Sequence, residues 1–229
     1  MLDKNKVLEY FDASKIKAPI HIVGCGAIGS HVAEQLTRMG CTNIHLWDFD
    51  TVSPHNITNQ MFIQDDIGDA KVHAVGNLMT EINTDLKINR DIIYHVEGWS
   101  GEILNGYVFL CVDNIDLRRK IVETNKLNPN CIAFFDFRMR LTDAQHYMAV
   151  CKDADQMKKL LDSMAFTHEE AKDATPKSAC NMELSVIYTV KGIVTFGICN
   201  FVRLCLGQST KTMILLDYNQ MALDAFPME

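Results

Sequence analysis

The 229-residue chain reads as an α/β protein: a doubly wound, mainly parallel sheet covered by helices, followed by a C-terminal extension. Three observations predict it. Short apolar runs of strand length alternate with segments of helical period over residues 1–140. A glycine turn, Gly24-Cys25-Gly26-Ala27-Ile28-Gly29, joins the first apolar run to the first helix. The composition, 48% hydrophobic and 22% charged with only 5 prolines, is that of an ordinary globular domain and excludes fibrous, collagen-like and disordered classes. At roughly 100–200 residues per domain, positions 1–229 form one continuous domain.

The elements follow in order. Asp3 to Phe11 reads as a short amphipathic helix, and Ile20 to Val23 as a buried strand. After the glycine turn, Ser30 to Met39 is a helix closed by Gly40, and Ile44 to Phe49 a second strand, which completes a βαβ unit. A loop from Asp50 to Asp69 precedes a helix at Lys71 to Ile82 and a strand at Ile88 to Val96. Tyr107 to Val112 is a strand, Ile115 to Asn125 a helix, and Cys131 to Phe137 a strand. Residues 141–229 then change character. A strand at Gln145 to Val150 leads into a polar crossover segment, Lys152 to Lys177, whose composition predicts a mobile surface loop. A long apolar helix, Leu184 to Leu206, and a final strand, Thr212 to Leu216, complete the extension.

Charge and cysteine use narrow the partners. With 22 basic against 29 acidic side chains, the net charge of -7 gives no positive field for nucleic acid or an anionic membrane. Lys191, Asn200 and Arg203 interrupt the apolar helix, so it reads as a core helix and not a bilayer span. The N-terminus mixes charged and apolar residues where a signal peptide would carry an apolar stretch. The eight cysteines form no C-x-x-C pair, so no zinc site is predicted, and most sit in apolar runs as small core residues. The expectation is a reduced, cytoplasmic protein.

Gly24, Gly26 and Gly29 fit the G-x-G-x-x-G fingerprint of a Rossmann-like fold, with a strand before, a helix after, and an acidic residue, Asp48, ending the next strand. Glycines let the backbone approach phosphates, and the helix N-terminus favours their charge. The Asp48 carboxylate would accept from a ribose hydroxyl. The same turn and Asp48, taken alone, would also suit an NAD-dependent oxidoreductase.

The residues that follow Asp48 separate these readings: Trp47-Asp48-Phe49-Asp50-Thr51-Val52-Ser53-Pro54-His55-Asn56-Ile57-Thr58-Asn59-Gln60, then Gly68-Asp69-Ala70-Lys71, then Cys111-Val112-Asp113-Asn114 with Arg118. This set, in this order, resembles the ThiF/MoeB/HesA family, relatives of the ubiquitin-activating enzymes. The resemblance covers about Ile20 to Arg140 and implies a site for ATP and Mg2+. By it, Asp48 holds the ribose, Asp50 and Asn114 belong to the nucleotide site, and Asn56 and Gln60 line the phosphate side. Lys71 contacts the phosphates and Asp113 positions the metal. The residue types suit the chemistry, since a carboxylate attacking an anionic phosphorus needs fixed positive charge around it. Plainer readings stand beside these: Lys71 as a solvated helix start, Asp113 as a helix N-cap, and His55 as either a phosphate donor or a solvated loop histidine. The other seven histidines have no metal-ligand spacing.

Two positions depart from the family. Asn59 stands where relatives carry arginine, and no Arg-Tyr-x-Arg-Gln-like segment occurs near the N-terminus. Three readings follow: Arg138 or Arg140 replaces one guanidinium, the enzyme is slow, or the chain is a non-catalytic partner subunit that binds nucleotide or carrier. Asp136-Phe137-Arg138-Met139-Arg140 resembles a D-x-R-M segment of short phage- or plasmid-associated ThiF-like proteins. Cys180 falls where relatives keep a cysteine that bonds the activated carrier. Beside Lys177, with Ser178 or Asn181 as cap, its thiol would sit at a helix N-terminus that favours thiolate; a structural cysteine under the crossover loop is the equal alternative. The resemblance implies an ATP-dependent adenylyltransferase, working as a homodimer on a small ubiquitin-like or sulfur-carrier protein that ends in Gly.

Overall fold

The computed structural model describes residues 2–177 and 184–227. The chain winds about β1 (Ile20–Val23), whose four residues are all buried because helices cover both faces of the sheet. β2 (Ile44–Trp47) and β4 (Gly106–Leu110) flank β1 in parallel, with β3 (Ile92–His95) outside β2 and β5 (Cys131–Met139) outside β4. Three antiparallel strands extend the sheet: β6 (Asp143–Val150), β7 (Lys211–Asp217) and β8 (Ala222–Pro227). The order is β3-β2-β1-β4-β5-β6-β7-β8. Winding therefore reverses between β1 and β4, and a reversal of this kind opens a crevice at the carboxyl ends of the two strands.

Alternation along the strands divides the core. Ile20 and Ile22 point to the face covered by α1 (Ala27–Arg38), α2 (Lys71–Ile82) and α7 (Ile187–Cys205), while Val23 packs on the other side with α4 (Ile115–Asn125) and α5 (Ala154–Asp162). On the first face Phe109 and Phe135 stack at 4.7 Å between ring centres, and Phe201 of α7 meets both edge-on. Each such ring contributes about 1.5–3 kcal/mol through burial. These contacts hold α7 against the sheet, with Val190, Ile193, Val194, Ile198 and Phe201 buried. Among the described residues it is the one helix long and apolar enough to cross a membrane, and its apolar face packs on this core.

Several boundaries differ from expectation. Asp3 to Phe11 forms turns, with Lys4 O accepting from the amides of Val7 and Leu8; so short a segment cannot recover the cost of helix nucleation. The strand expected from Ile88 starts at Ile92, because Asp85–Asn89 forms a short helix, α3, that Arg90 ends at φ 57°. The segment at 152–177 is ordered against the sheet. Asp153 caps α5, whose Met157 and Leu160 are buried, and a Thr167–Glu170 capping box starts α6 (His168–Asp173). The Arg119 guanidinium ties the connection by donating to the carbonyls of Met164 and Phe166. β8 is a strand that the sequence pattern does not predict. Of the cysteines, Cys199 is exposed on α7 and not in the core, and Cys180 lies outside the described residues.

Candidate functional site

Three loops meet at the β1/β4 crevice. The first is the glycine turn. Gly24 adopts φ +96°, and a Cβ there would lie 2.7 Å from the backbone of Cys111 and Val112; a Cβ on Gly29 would lie 1.8 Å from Gly24 O. The turn is thus pressed against both the β4–α4 loop and its own helix, and only glycine fits. Gly26 differs. Around its Cβ position the nearest atom is Gln60 Oε1 at 3.8 Å, an ordinary contact, so the turn leaves room in front of α1 for at least a methyl group. Gly26 caps α1 with no side-chain hydrogen bond, and the first turn carries no acidic residue to offset the helix dipole.

The second loop leaves β2. Asp48 accepts from Cys25 N at 2.6 Å and from Asp50 N at 2.8 Å, one amide on each oxygen. It therefore fastens the glycine turn to β2, and each oxygen keeps a further lone pair. Burial raises its pKa, against the lowering effect of these amides and of Lys71. Beyond it, an isolated bridge pairs Thr51 with Ala70, and Lys71 N donates to Asp50 O. That pairing brings Lys71 Nζ to 2.8 Å from Asp50 Oδ2, with the lysine buried and the aspartate about half exposed. Lys71 is therefore an internal cation held by an exchangeable surface carboxylate, and not a solvated helix start.

Asn56 is buried and accepts from Ser53 N at 2.8 Å, so it shapes the loop. His31 contacts Asn59 O at 3.3 Å and Ser30 Oγ accepts from Met61 N at 3.1 Å, which fixes the intervening Gln60 over α1. Gln60 Oε1 is buried without a hydrogen-bond partner. Such an orphan costs about 1–3 kcal/mol, and it lies 3.8 Å from the Gly26 Cβ position. His55 is exposed.

The third loop follows β4. Asn114, not Asp113, caps α4, with its Oδ1 accepting from Leu117 N at 3.0 Å. Asp113 is exposed, and its carboxylate has no partner among the described residues. The capping alternative for Asp113 is thereby removed, and the role expected of Asn114 is at least partly structural.

A fourth group, at the carboxyl end of β5, was not assembled from the sequence. Asp136 is fully buried, accepts from Arg118 Nη1, and accepts from Arg138 Nε at 2.7 Å. Burial would raise its pKa, but the two guanidiniums outweigh that and hold it below the usual carboxylate range. Arg138 also donates to Ser163 O at 2.7 Å and Ser163 Oγ at 2.9 Å, and lies 4.5 Å from the Tyr147 ring centre. All three of its guanidinium nitrogens are thus engaged within the fold, with Asp136 and Ser163. Arg140 is exposed. Asn59 donates to Ser185 Oγ at 2.7 Å, tying the loop to the segment that enters α7.

The residues can be tested against the group they would hold. A magnesium nucleotide needs an open backbone cradle, an internal cation and an unengaged carboxylate. Gly26, Lys71 and Asp113 supply these, so the site fits.

Comparisons with known proteins bear on the family and the fold. Ubiquitin-like modifier-activating enzyme 5 of Mus musculus is 34% identical over 125 residues, covering 48% of this chain and 31% of that protein. The enzyme of the same name from Arabidopsis thaliana is 32% identical over 123 residues, 44% of this chain and 28% of that one. The match thus spans about a third of these relatives. Among solved structures, E. coli MccB with AMPCPP and MccA superposes with a TM-score of 0.66 at 16% identity, over 93% of this chain and 64% of that one. PaaA superposes at 0.66 with 15% identity, over 92% and 64%. At that identity the likeness shows the fold. Residues 13–129, half of the chain, match the ThiF family, and the chain belongs to that family.

Proposed function

We propose that the protein is an ATP-dependent adenylyltransferase that activates the C-terminal carboxylate of a small ubiquitin-like or sulfur-carrier protein ending in Gly, acting in the cytoplasm as a homodimer. The observation that carries this reading is the orphaned amide oxygen of Gln60 beside the glycine turn at Gly26, next to the buried Lys71 with its Asp50 partner. One carboxylate oxygen of the carrier attacks the α-phosphorus, and the bond from that phosphorus to the pyrophosphate oxygen breaks. The products are an acyl adenylate and pyrophosphate. Lys71 would leave Asp50 for the phosphates, supplying positive charge to the leaving group. Gln60 can turn its amide to present either oxygen or N–H. Asp48, fixed by two amides, would receive the ribose hydroxyls. Asp113 would hold magnesium, which when bound neutralises phosphate charge. In support of a dimer, Ile187 and Tyr188 of α7 are exposed apolar residues.

Pyrophosphate–ATP exchange in the presence of Gly-terminated carriers tests the reading. Exchange abolished by Lys71→Ala and by Asp113→Ala is the expected result, and absence of exchange with every carrier would overturn it. Cys180→Ser separates the later step, since full transfer activity in that variant would remove a thioester and leave adenylation. A second reading, a non-catalytic subunit that binds nucleotide or carrier, is favoured by the engagement of Asn59 with Ser185 and of Arg138 with Asp136. It predicts ATP binding without exchange. Thermal stabilisation by NAD and not by ATP would instead point to an oxidoreductase.

A further inference from the structure

On the face of the sheet away from α7, at the end opposite the nucleotide crevice, two cysteines meet. β5 carries one residue more than β4 where they pair: Gly106 faces Cys131, and the next residue, Tyr107, faces Ala133. Ile132 is the extra residue of a β-bulge. Strict alternation from Phe134 would send Cys131 to the α7 side, but the bulge turns it to the side of α4 and α5, where it joins Phe134, Ala149 and Leu160 in the core. Cys151, one residue past β6, donates its amide to Ile132 O at 2.9 Å and packs on the same cluster. The sulfurs lie 2.9 Å apart. A disulfide requires an approach of only about 1 Å more. Both thiols are free in the structure.

We propose that Cys131 and Cys151 are a redox modification site that closes to a reversible intramolecular disulfide on reaction with a low-molecular-weight disulfide such as oxidised glutathione. Accessibility sets the order of events. Cys131 is buried and Cys151 is partly exposed, so Cys151 meets the oxidant first. Its thiolate attacks one sulfur of oxidised glutathione, that S–S bond breaks, and one glutathione thiolate leaves. Cys131 then gives up its proton and attacks Cys151 Sγ, displacing the second glutathione. The protein loses two electrons and two protons, and one oxidised glutathione becomes two reduced ones. Pairing with Cys151 first, and burial second, keep the Cys131 thiol protonated; once Cys151 is capped, the first of these is gone. Fixed proximity then favours closure over a lasting mixed disulfide. The bond would join the start of β5 to the residue from which the chain leaves for α5.

Cys199 is an internal comparison, an exposed free thiol with no cysteine partner among the described residues. Trypsin separates all three, leaving Cys131 in residues 127–138, Cys151 in 141–152 and Cys199 in 192–203. The full chain would be equilibrated over a series of glutathione ratios, alkylated under denaturing conditions and mapped by non-reducing mass spectrometry. The expected result is a linked 127–138/141–152 pair, independent of protein concentration and reversed by dithiothreitol, while Cys199 carries only glutathione. In Cys131→Ser, Cys151 should accumulate the glutathione adduct instead. Wild-type mapping decides the matter even if that variant does not fold. Glutathione retained on Cys151 of the wild type, or both thiols still alkylatable at ratios that modify Cys199, would overturn the proposal.

Discussion

Lowering the pH from 7 to 5 should destabilise the protein through two buried histidines. His21 uses both ring nitrogens as a neutral imidazole: Trp47 Nε1 donates to Nδ1 at 3.1 Å, and Nε2 contacts Asn105 O at 3.0 Å. Protonating Nδ1 would break the tryptophan bond. His146 is fully buried, with Nδ1 at 3.1 Å from Asp136 O and Nε2 without any partner, so a second proton would have no acceptor. Burial, reinforced by nearby His45, pushes His21 down to about 3, and burial pushes His146 down to about 4. Both values lie below the ordinary 6.5. Between about pH 4 and 6.5 the unfolded chain therefore binds more protons than the fold, and stability falls as pH falls. At pH 5 each histidine costs about 2 kcal/mol relative to pH 7, or about 4 kcal/mol together. That is a large part of the roughly 5–15 kcal/mol typical of a domain. The raised Asp48 carboxyl works in the opposite sense, at the acid end of the range. Urea unfolding at the two pH values measures the difference, and NMR titration of the imidazoles assigns it. A loss below about 1 kcal/mol, or a native-state titration of either ring near 6.5, would refute the reasoning.

Asp136→Ala leaves a buried and a partly buried guanidinium without their shared carboxylate and should cost about 3–5 kcal/mol in chemical denaturation. Gly29→Ala forces a Cβ against Gly24 O, so ATP-dependent thermal stabilisation should disappear even where the variant stays folded. Asn59→Arg exchanges the Ser185 contact for a guanidinium beside the phosphate side; if adenylation is limited by that missing charge, pyrophosphate exchange should rise about tenfold, equivalent to about 1.4 kcal/mol of barrier. An unchanged exchange rate would show that Asn59 is not the limiting departure from the family.

Local pattern revealed what is local. The helices Lys71–Ile82 and Ile115–Asn125 begin and end where the apolar period does, and β1 is a short apolar run before an obligatory glycine turn. β8 is not legible in the sequence because, as an edge strand exposed along its whole length, Ala222 to Pro227 has no buried face to impose alternation. The 152–177 segment looked like a loop because its buried residues, Met157 and Leu160, are few against many charges. Within the site, the residue types around the crevice were legible from their order, but their engagements were not. That Asp136 consumes Arg118 and Arg138 depends on sheet register, and that Asn114 relieves Asp113 of capping depends on one side-chain torsion. The bulge at Ile132 likewise appears only where β5 is laid beside β4.

The strand pairings of the sheet differ in how far the chain must travel to make them. β5 and β6 form a hairpin in which Met139 pairs with Ala144, whereas Ile20 must find Tyr107 across two strands and several helices. Near neighbours pair quickly, and long closures wait for the entropy they cost to be offset by burial. The β5–β6 hairpin should therefore assemble first and serve as the template onto which β4 and then β1 dock. The crevice between those last two strands would then be among the last features to appear, so a chain caught part-folded would present an ordered hairpin and no place for a nucleotide. Pulsed hydrogen exchange during refolding should find the amides of β5 and β6 protected before those of β1.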